Sequence, residues 1–108
     1  MGQAVDASLL ETITRTIVER FSPRRIIVFG SWARGEAGPD SDVDVFVEME
    51  TDKRPPERAI EVSSAFGLRP WGLDVVVYTP AEVKKFRGVK GTLLEMIEAE
   101  GKVVYERG

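Results

Sequence analysis

Residues 26–48 read IIVFGSWARGEAGPDSDVDVFVE. The stretch opens on a β-branched apolar run, Ile26-Ile27-Val28-Phe29, which stops at Gly30-Ser31. A polar loop over 30–41 follows, in which Gly30, Gly35, Gly38 and Pro39 are turn formers. Alternation resumes over 43–49, with Asp42 and Asp44 two residues apart at its start. Strands joined by a loop without a helix are expected to pair antiparallel. That pairing returns Asp42 and Asp44 to the neighbourhood of Gly30-Ser31. The stretch therefore predicts a sheet with a small polar site at one edge.

The flanking sequence supplies the rest of the sheet. Residues 6–21 carry Leu10, Ile13, Ile17 and Phe21 at helical spacing, with a capping box at Ser8 and Glu11, and Pro23 stops the helix. Pro55-Pro56 opens a second helix, with Ala59, Ile60, Val62, Ser63 and Phe66 towards the interior. Gly67 and Pro70 end it. A third strand is expected over 73–78. Thr79-Pro80-Ala81-Glu82 caps a short helix, Thr92 and Glu95 cap another, and residues 102–105 close the chain as a fourth strand. The order is α-β-β-α-β-α-α-β. The helix between the second and third strands favours a parallel pair with a right-handed crossover. The expected class is α/β (α+β), a mixed four-stranded sheet with helices packed on it.

Composition narrows the chemistry. The chain of 108 residues is long enough for one cored domain, expected to span 1–108. It contains neither cysteine nor histidine. That excludes disulfides, thiolate chemistry, Ser-His-Asp triads and histidine zinc sites. Acid–base or metal chemistry must rest on carboxylates. A net charge of −3 argues against a dedicated nucleic-acid binder. No apolar run is long enough to span a membrane and no secretory signal is visible, so a cytoplasmic protein is expected. Two basic clusters, Lys84, Lys85, Arg87 and Lys90, and Lys53, Arg54 and Arg58, are read as solvated faces.

A period of two puts Asp42, Asp44, Phe46 and Glu48 on one strand face and Val43, Val45, Val47 and Met49 on the other. The third strand, Leu73-Asp74-Val75-Val76-Val77-Tyr78, has its own acid near its start. If the two strands are parallel neighbours, Asp42, Asp44 and Asp74 converge. Three converging acids without a cation repel and raise one another's pKa. A divalent metal resolves that repulsion, and all-oxygen ligands suit Mg²⁺ or Mn²⁺. Gly30-Ser31 offers backbone N–H groups and a hydroxyl, and Arg34 a planar guanidinium, all suited to phosphate oxygens. Taken singly, each feature has a plainer use: Asp42 as a turn cap, Asp44 at a solvated strand edge, Asp74 as a surface acid, Gly30-Ser31 as an ordinary turn. Trp32 is read first as loop packing, with base stacking or an interface as its other uses.

Gly30-Ser31, ten intervening residues and Asp42-Val43-Asp44 resemble the signature of the DNA-polymerase-β-like nucleotidyltransferases, with Asp74 in the place of the third carboxylate. The length, the run GSWARGEAGPDSDVDV and the ending EGKVVYE resemble the minimal nucleotidyltransferases most closely. The resemblance implies a polymerase-β-like palm, two Mg²⁺ ions held by Asp42, Asp44 and Asp74, and a nucleotide gripped by Gly30, Ser31 and Arg34. It implies transfer of a nucleoside monophosphate, AMP from ATP, to a hydroxyl of a partner protein. It also implies an antitoxin that neutralises a HEPN-type RNase toxin. Two alternatives stay open: an antitoxin that only masks its toxin, and an aminoglycoside-type nucleotidyltransferase with a separate acceptor subunit. Trp32 departs from the smaller or basic residue expected at its place.

Overall fold

The structure, a computed structural model, describes residues 7–38, 41–69 and 71–107. Its elements are α1 (Ala7–Phe21), β1 (Arg25–Phe29), α2 (Ser31–Arg34), β2 (Val43–Glu48), α3 (Pro55–Ser64), β3 (Leu73–Tyr78), α4 (Pro80–Phe86), α5 (Leu93–Glu100) and β4 (Lys102–Glu106). The four strands form one mixed sheet in the order β3-β2-β1-β4. β1 runs antiparallel to β2 and β4, and β2 runs parallel to β3. The parallel pair is the one whose connection contains a helix, α3, long enough to carry the chain back to the same end.

Both sheet faces are covered. On one, α1 and α3 bring Leu9, Ile13, Ile17 and Val62 onto Ile26, Val43, Val45 and Val47. On the other, α4 and α5 bring Val83, Leu94 and Ile97 onto Ile27, Phe29 and Phe46. Each such side chain contributes roughly 1.5–3 kcal/mol on burial. The strand alternation is thus apolar against apolar along most of its length, and the polar residues of β2 fall at its two ends.

Several local expectations change. Residues 31–34 form a helical turn where a loop was expected, so the order gains an element. Gly30, at φ 73°, turns the chain sharply. Its carbonyl then accepts from both Ala33 N–H and Arg34 N–H at 3.1 Å. Gly35, left-handed at φ 73°, ends the turn. Four residues are too few to display a helical period. Ser8 is already inside α1 and does not cap it. In α3 the inward residues are Arg58 and Val62, while Ile60 is 65% exposed. Two positions from Val62 is about 200° round a helix, which sends Ile60 outward. Arg58 is no solvated lysine-like charge. Its guanidinium donates to Lys53 O at 2.8 Å and Glu82 Oε1 at 2.7 Å, tying α3 to the start of α4. The Thr79–Glu82 capping box is formed as expected. The helix start at Asp6, the turn at Pro39-Asp40 and the stop at Pro70 lie outside the described residues.

Candidate active site

β2 and β3 point the same way, so their first residues share one edge of the sheet. β1 points the opposite way and delivers its last residue there. The register is direct: Phe29 lies opposite Asp44 on one side, and Asp44 opposite Asp74 on the other. Asp42 stands just before β2, where Val43 N–H donates to Gly72 O at 3.0 Å. The edge thus gathers Gly30, Ser31, Asp42, Asp44 and Asp74, as the alternation of the strands predicts.

Two glycines make room for the acids. A Cβ on Gly30 would collide with Asp44 Oδ2 and approach its Cγ to 3.0 Å. A Cβ on Gly72 would collide with Asp42 Oδ1. Gly30 was singled out by its place in the sequence. Gly72 was not, although it lies two residues before Asp74 in Trp71-Gly72-Leu73-Asp74. Its signal is that adjacency, but its partner, the Asp42 carboxylate, lies 30 residues away in sequence.

The electrostatics are those of acids held close with little relief. Asp44 has its pKa raised, first by burial. The Asp74 charge and a hydrogen bond shared with Asp74 add to the rise, as does the Asp42 charge, and Arg34 opposes it weakly. Arg34 stands at the rim, not over the carboxylates. Its Nε donates to Glu36 Oε1 at 2.7 Å and its Nη1 lies 3.5 Å from Glu100 Oε1. Glu36 is the first cause of its raised pKa. The Ser31 and Trp32 N–H groups open α2 and have no intrahelical acceptor by helix geometry. Trp32 packs against the core that α1 and α3 share with the sheet, in keeping with the loop-packing reading, and among the described residues its buried Nε1 has no partner.

No group of three or more His, Cys, Asp or Glu side chains stands as a ready metal-binding set among the described residues. The donor chemistry nevertheless fits a hard divalent cation. Three carboxylates converge, glycines clear space for two of them, and Asp44, between its neighbours, is pushed towards protonation by burial and then by Asp74 and Asp42.

The mixed sheet sets three acids at one edge beside a Gly-Ser turn. The sequence model of the nucleotidyltransferase domain family matches residues 10–107, and the chain belongs to that family. Over 93% of its length it superposes on 79% of a Sulfolobus solfataricus chain, one described only provisionally as a nucleotidyltransferase, with a TM-score of 0.63 and 19% identity. That likeness concerns the fold. Over 43 residues, 40% of the chain, it is 51% identical to the protein adenylyltransferase MntA of Thermococcus cleftensis. The matched segment spans 43% of that curated relative.

Proposed function

We propose that this chain, taken as one domain over 1–108, moves AMP from ATP to a hydroxyl of a partner protein. The single observation that carries the reading is the meeting of Asp42, Asp44 and Asp74 beside the Gly30-Ser31 turn. AMP and a protein acceptor are suggested by the name of the Thermococcus cleftensis relative, a protein adenylyltransferase. The resemblance to minimal nucleotidyltransferases adds a HEPN-type RNase toxin as the partner, a cytoplasmic setting and an antitoxin role.

Gly30 and Ser31 hold the β- and γ-phosphates through backbone N–H groups and the Ser31 hydroxyl. Arg34 exchanges Glu36 and Glu100 for phosphate oxygens and neutralises their charge. Asp42, Asp44 and Asp74 would hold two Mg²⁺ ions, or Mn²⁺, which would supply charge neutralisation of the triphosphate and polarisation of the attacking hydroxyl. The acceptor oxygen attacks the α-phosphorus. One P–O bond forms, the bond to the β-phosphate breaks, and pyrophosphate leaves. Asp74, the outermost acid, takes the hydroxyl proton.

The test has two arms. Titration calorimetry with ATP and Mg²⁺ is expected to give binding heat that Asp42→Ala/Asp44→Ala removes. Mass spectrometry of the toxin partner after incubation is expected to detect added AMP. No heat and an unmodified partner would overturn the reading. Neutralisation of the toxin without ATP, unchanged by Asp44→Asn, would favour masking instead.

A further inference from the structure

The two outer strands of the sheet are guarded unequally. β4 carries charges at both ends, Lys102 and Glu106, and its pairing with β1 shifts register between Ile26 and Ile27. Charges and a bulge are the usual means of blunting an edge against further strands. β3 has neither device. Its ladder with β2 is regular over all six residues, and its only charge is Asp74.

The free edge of β3 can be read residue by residue. Gly72 O and Tyr78 O accept from Val43 N–H and Met49 N–H, so they turn towards β2. With a period of two, the backbone groups of Leu73, Val75 and Val77 turn away from it. Val77 O is met by Arg58 Nη1 at 3.5 Å, which closes the far end. Among the described residues, the N–H and C=O groups of Leu73 and Val75 remain without a backbone partner, next to Asp74. Beside them runs a groove of about 670 Å³ between α3 and β3. Ile60, Ser64, Leu68 and Arg69 line it, and it reaches Asp74. Ile60 and Leu68 are exposed apolar side chains. The Arg69 guanidinium has no carboxylate partner among the described residues, and its Nε is buried unpaired.

We propose that the acceptor is an extended polypeptide segment that adds as a strand to the free edge of β3 and lies along the α3 groove. This rests on the nucleotidyl-transfer reading above. Alternate side chains of such a strand point to opposite faces. One set enters the groove against Ile60 and Leu68. The other set lies on the face of Asp74, and a hydroxyl residue there is presented to that carboxylate. The acceptor is therefore a Tyr, Ser or Thr flanked at both neighbouring positions by apolar residues, with an acidic residue where the strand passes Arg69. The ladder of backbone donors and acceptors and the apolar walls select a peptide over an RNA strand, which offers phosphates and bases instead.

The probe is a peptide library with a central Tyr, Ser or Thr and randomised flanks, incubated with the full chain, Mg²⁺ and ATP labelled at the α-phosphate. Labelled peptides are expected to be enriched in apolar flanking residues. Ile60→Glu and Leu68→Glu, both at exposed positions, are expected to cut labelling at least about tenfold and leave ATP binding unchanged. N-methylation of the backbone at the groove-facing residues is expected to abolish labelling. ATP binding without labelling of any peptide overturns the proposal. So does labelling indifferent to both substitutions, or label found in RNA oligonucleotides alone. Absence of ATP binding would remove the underlying reading, and the acceptor groove with it.

Discussion

At one end of the sheet face beneath α4 and α5, Asp42, Asp44 and Asp74 meet, and among the described residues only the rim guanidinium of Arg34 opposes the rise in the Asp44 pKa. At the other end of the same face, about 13 Å along β2, Glu48 is buried and ion-paired. Arg25 Nε donates to Glu48 Oε1 at 3.1 Å, and Arg25 Nη1 to Glu98 Oε2 at 3.0 Å. Arg87 reaches the same Glu98 oxygen at 2.9 Å, and the Arg25 guanidinium lies 5.7 Å from the Phe46 ring centroid. The pairing decides the direction of each shift. Burial pushes Glu98 up, but hydrogen bonds from Arg87 and Arg25 outweigh it and hold Glu98 below the ordinary range. Asp44, with burial and two like charges, goes the other way. β2 thus ends in a paired acid, Glu48, and carries near its start Asp44, which has no ion pair among the described residues, with Asp42 just before the strand. The unmatched end is the one to which the proposed function assigns cations and phosphates.

The largest expected effect tests the matched end. Glu48→Ala leaves the buried Arg25 guanidinium with only Glu98 of its two carboxylate partners among the described residues, and breaking a buried pair from one side costs about 3–5 kcal/mol. Urea denaturation is expected to register that loss. Replacing both partners together, Arg25→Met with Glu48→Leu, is expected to restore most of it. If the double variant is as unstable as Glu48→Ala, the network is more than a mutually dependent pair.

Next in size is the unmatched end. Asp44→Asn keeps the shape and removes one charge from the centre of the acids. Transfer is expected to fall by roughly 10²–10³-fold, the scale of losing one well-placed electrostatic group. Stabilisation by Mg²⁺ and ATP together, seen as a rise in Tm of the wild type, is expected to vanish in the variant. A variant that keeps both would make the two ends functionally alike and break the comparison.

A smaller effect lies outside both ends. Thr79 accepts from Glu82 N–H at 3.2 Å, and Glu82 Oε1 accepts from Thr79 N–H at 2.8 Å and from Arg58 at 2.7 Å. Thr79→Ala is expected to cost about 1 kcal/mol, the usual loss of an N-cap, measurable by thermal denaturation with transfer unchanged. A much larger loss would mean that Arg58, buried between α3 and α4, depends on that cap for its own placement.

What the sequence made legible follows from range. The strand spans were readable because Val43, Val45, Val47 and the run from Leu73 to Tyr78 declare their period within a few residues. The gathering of Asp42, Asp44 and Asp74 was readable too, because a helix in the connection fixes the direction of β3. The α2 turn was not, since Ser31 to Arg34 is shorter than two helical repeats. Arg58 looked like part of a surface cluster because its partner, Glu82, lies in another helix. Gly72 had no visible purpose until Asp42 stood beside it. Trp32 sits in a polar stretch, yet it packs against a core that is assembled from distant elements of the chain.

The smallest expected effect separates the two ends by acid titration of the metal-free protein. Glu98 is depressed when folded, so its contribution is present above the ordinary glutamate pKa and is lost as pH falls through its lower folded value. Asp44 is raised when folded, so the folded state binds the proton more readily than the unfolded chain. Its cost is absent below the ordinary aspartate pKa and fully present once pH exceeds the folded value. Asp44→Asn should therefore raise the Tm of metal-free protein near neutral pH, with the gain shrinking to nothing as the medium is acidified. Glu98→Gln should do the reverse, lowering Tm at neutral pH and converging on the wild type in acid. Two difference curves of opposite sign are the expected result. A fall in Tm for Asp44→Asn at neutral pH would mean that its carboxylate is held by partners as Glu98 is, and the contrast between the two ends would be lost.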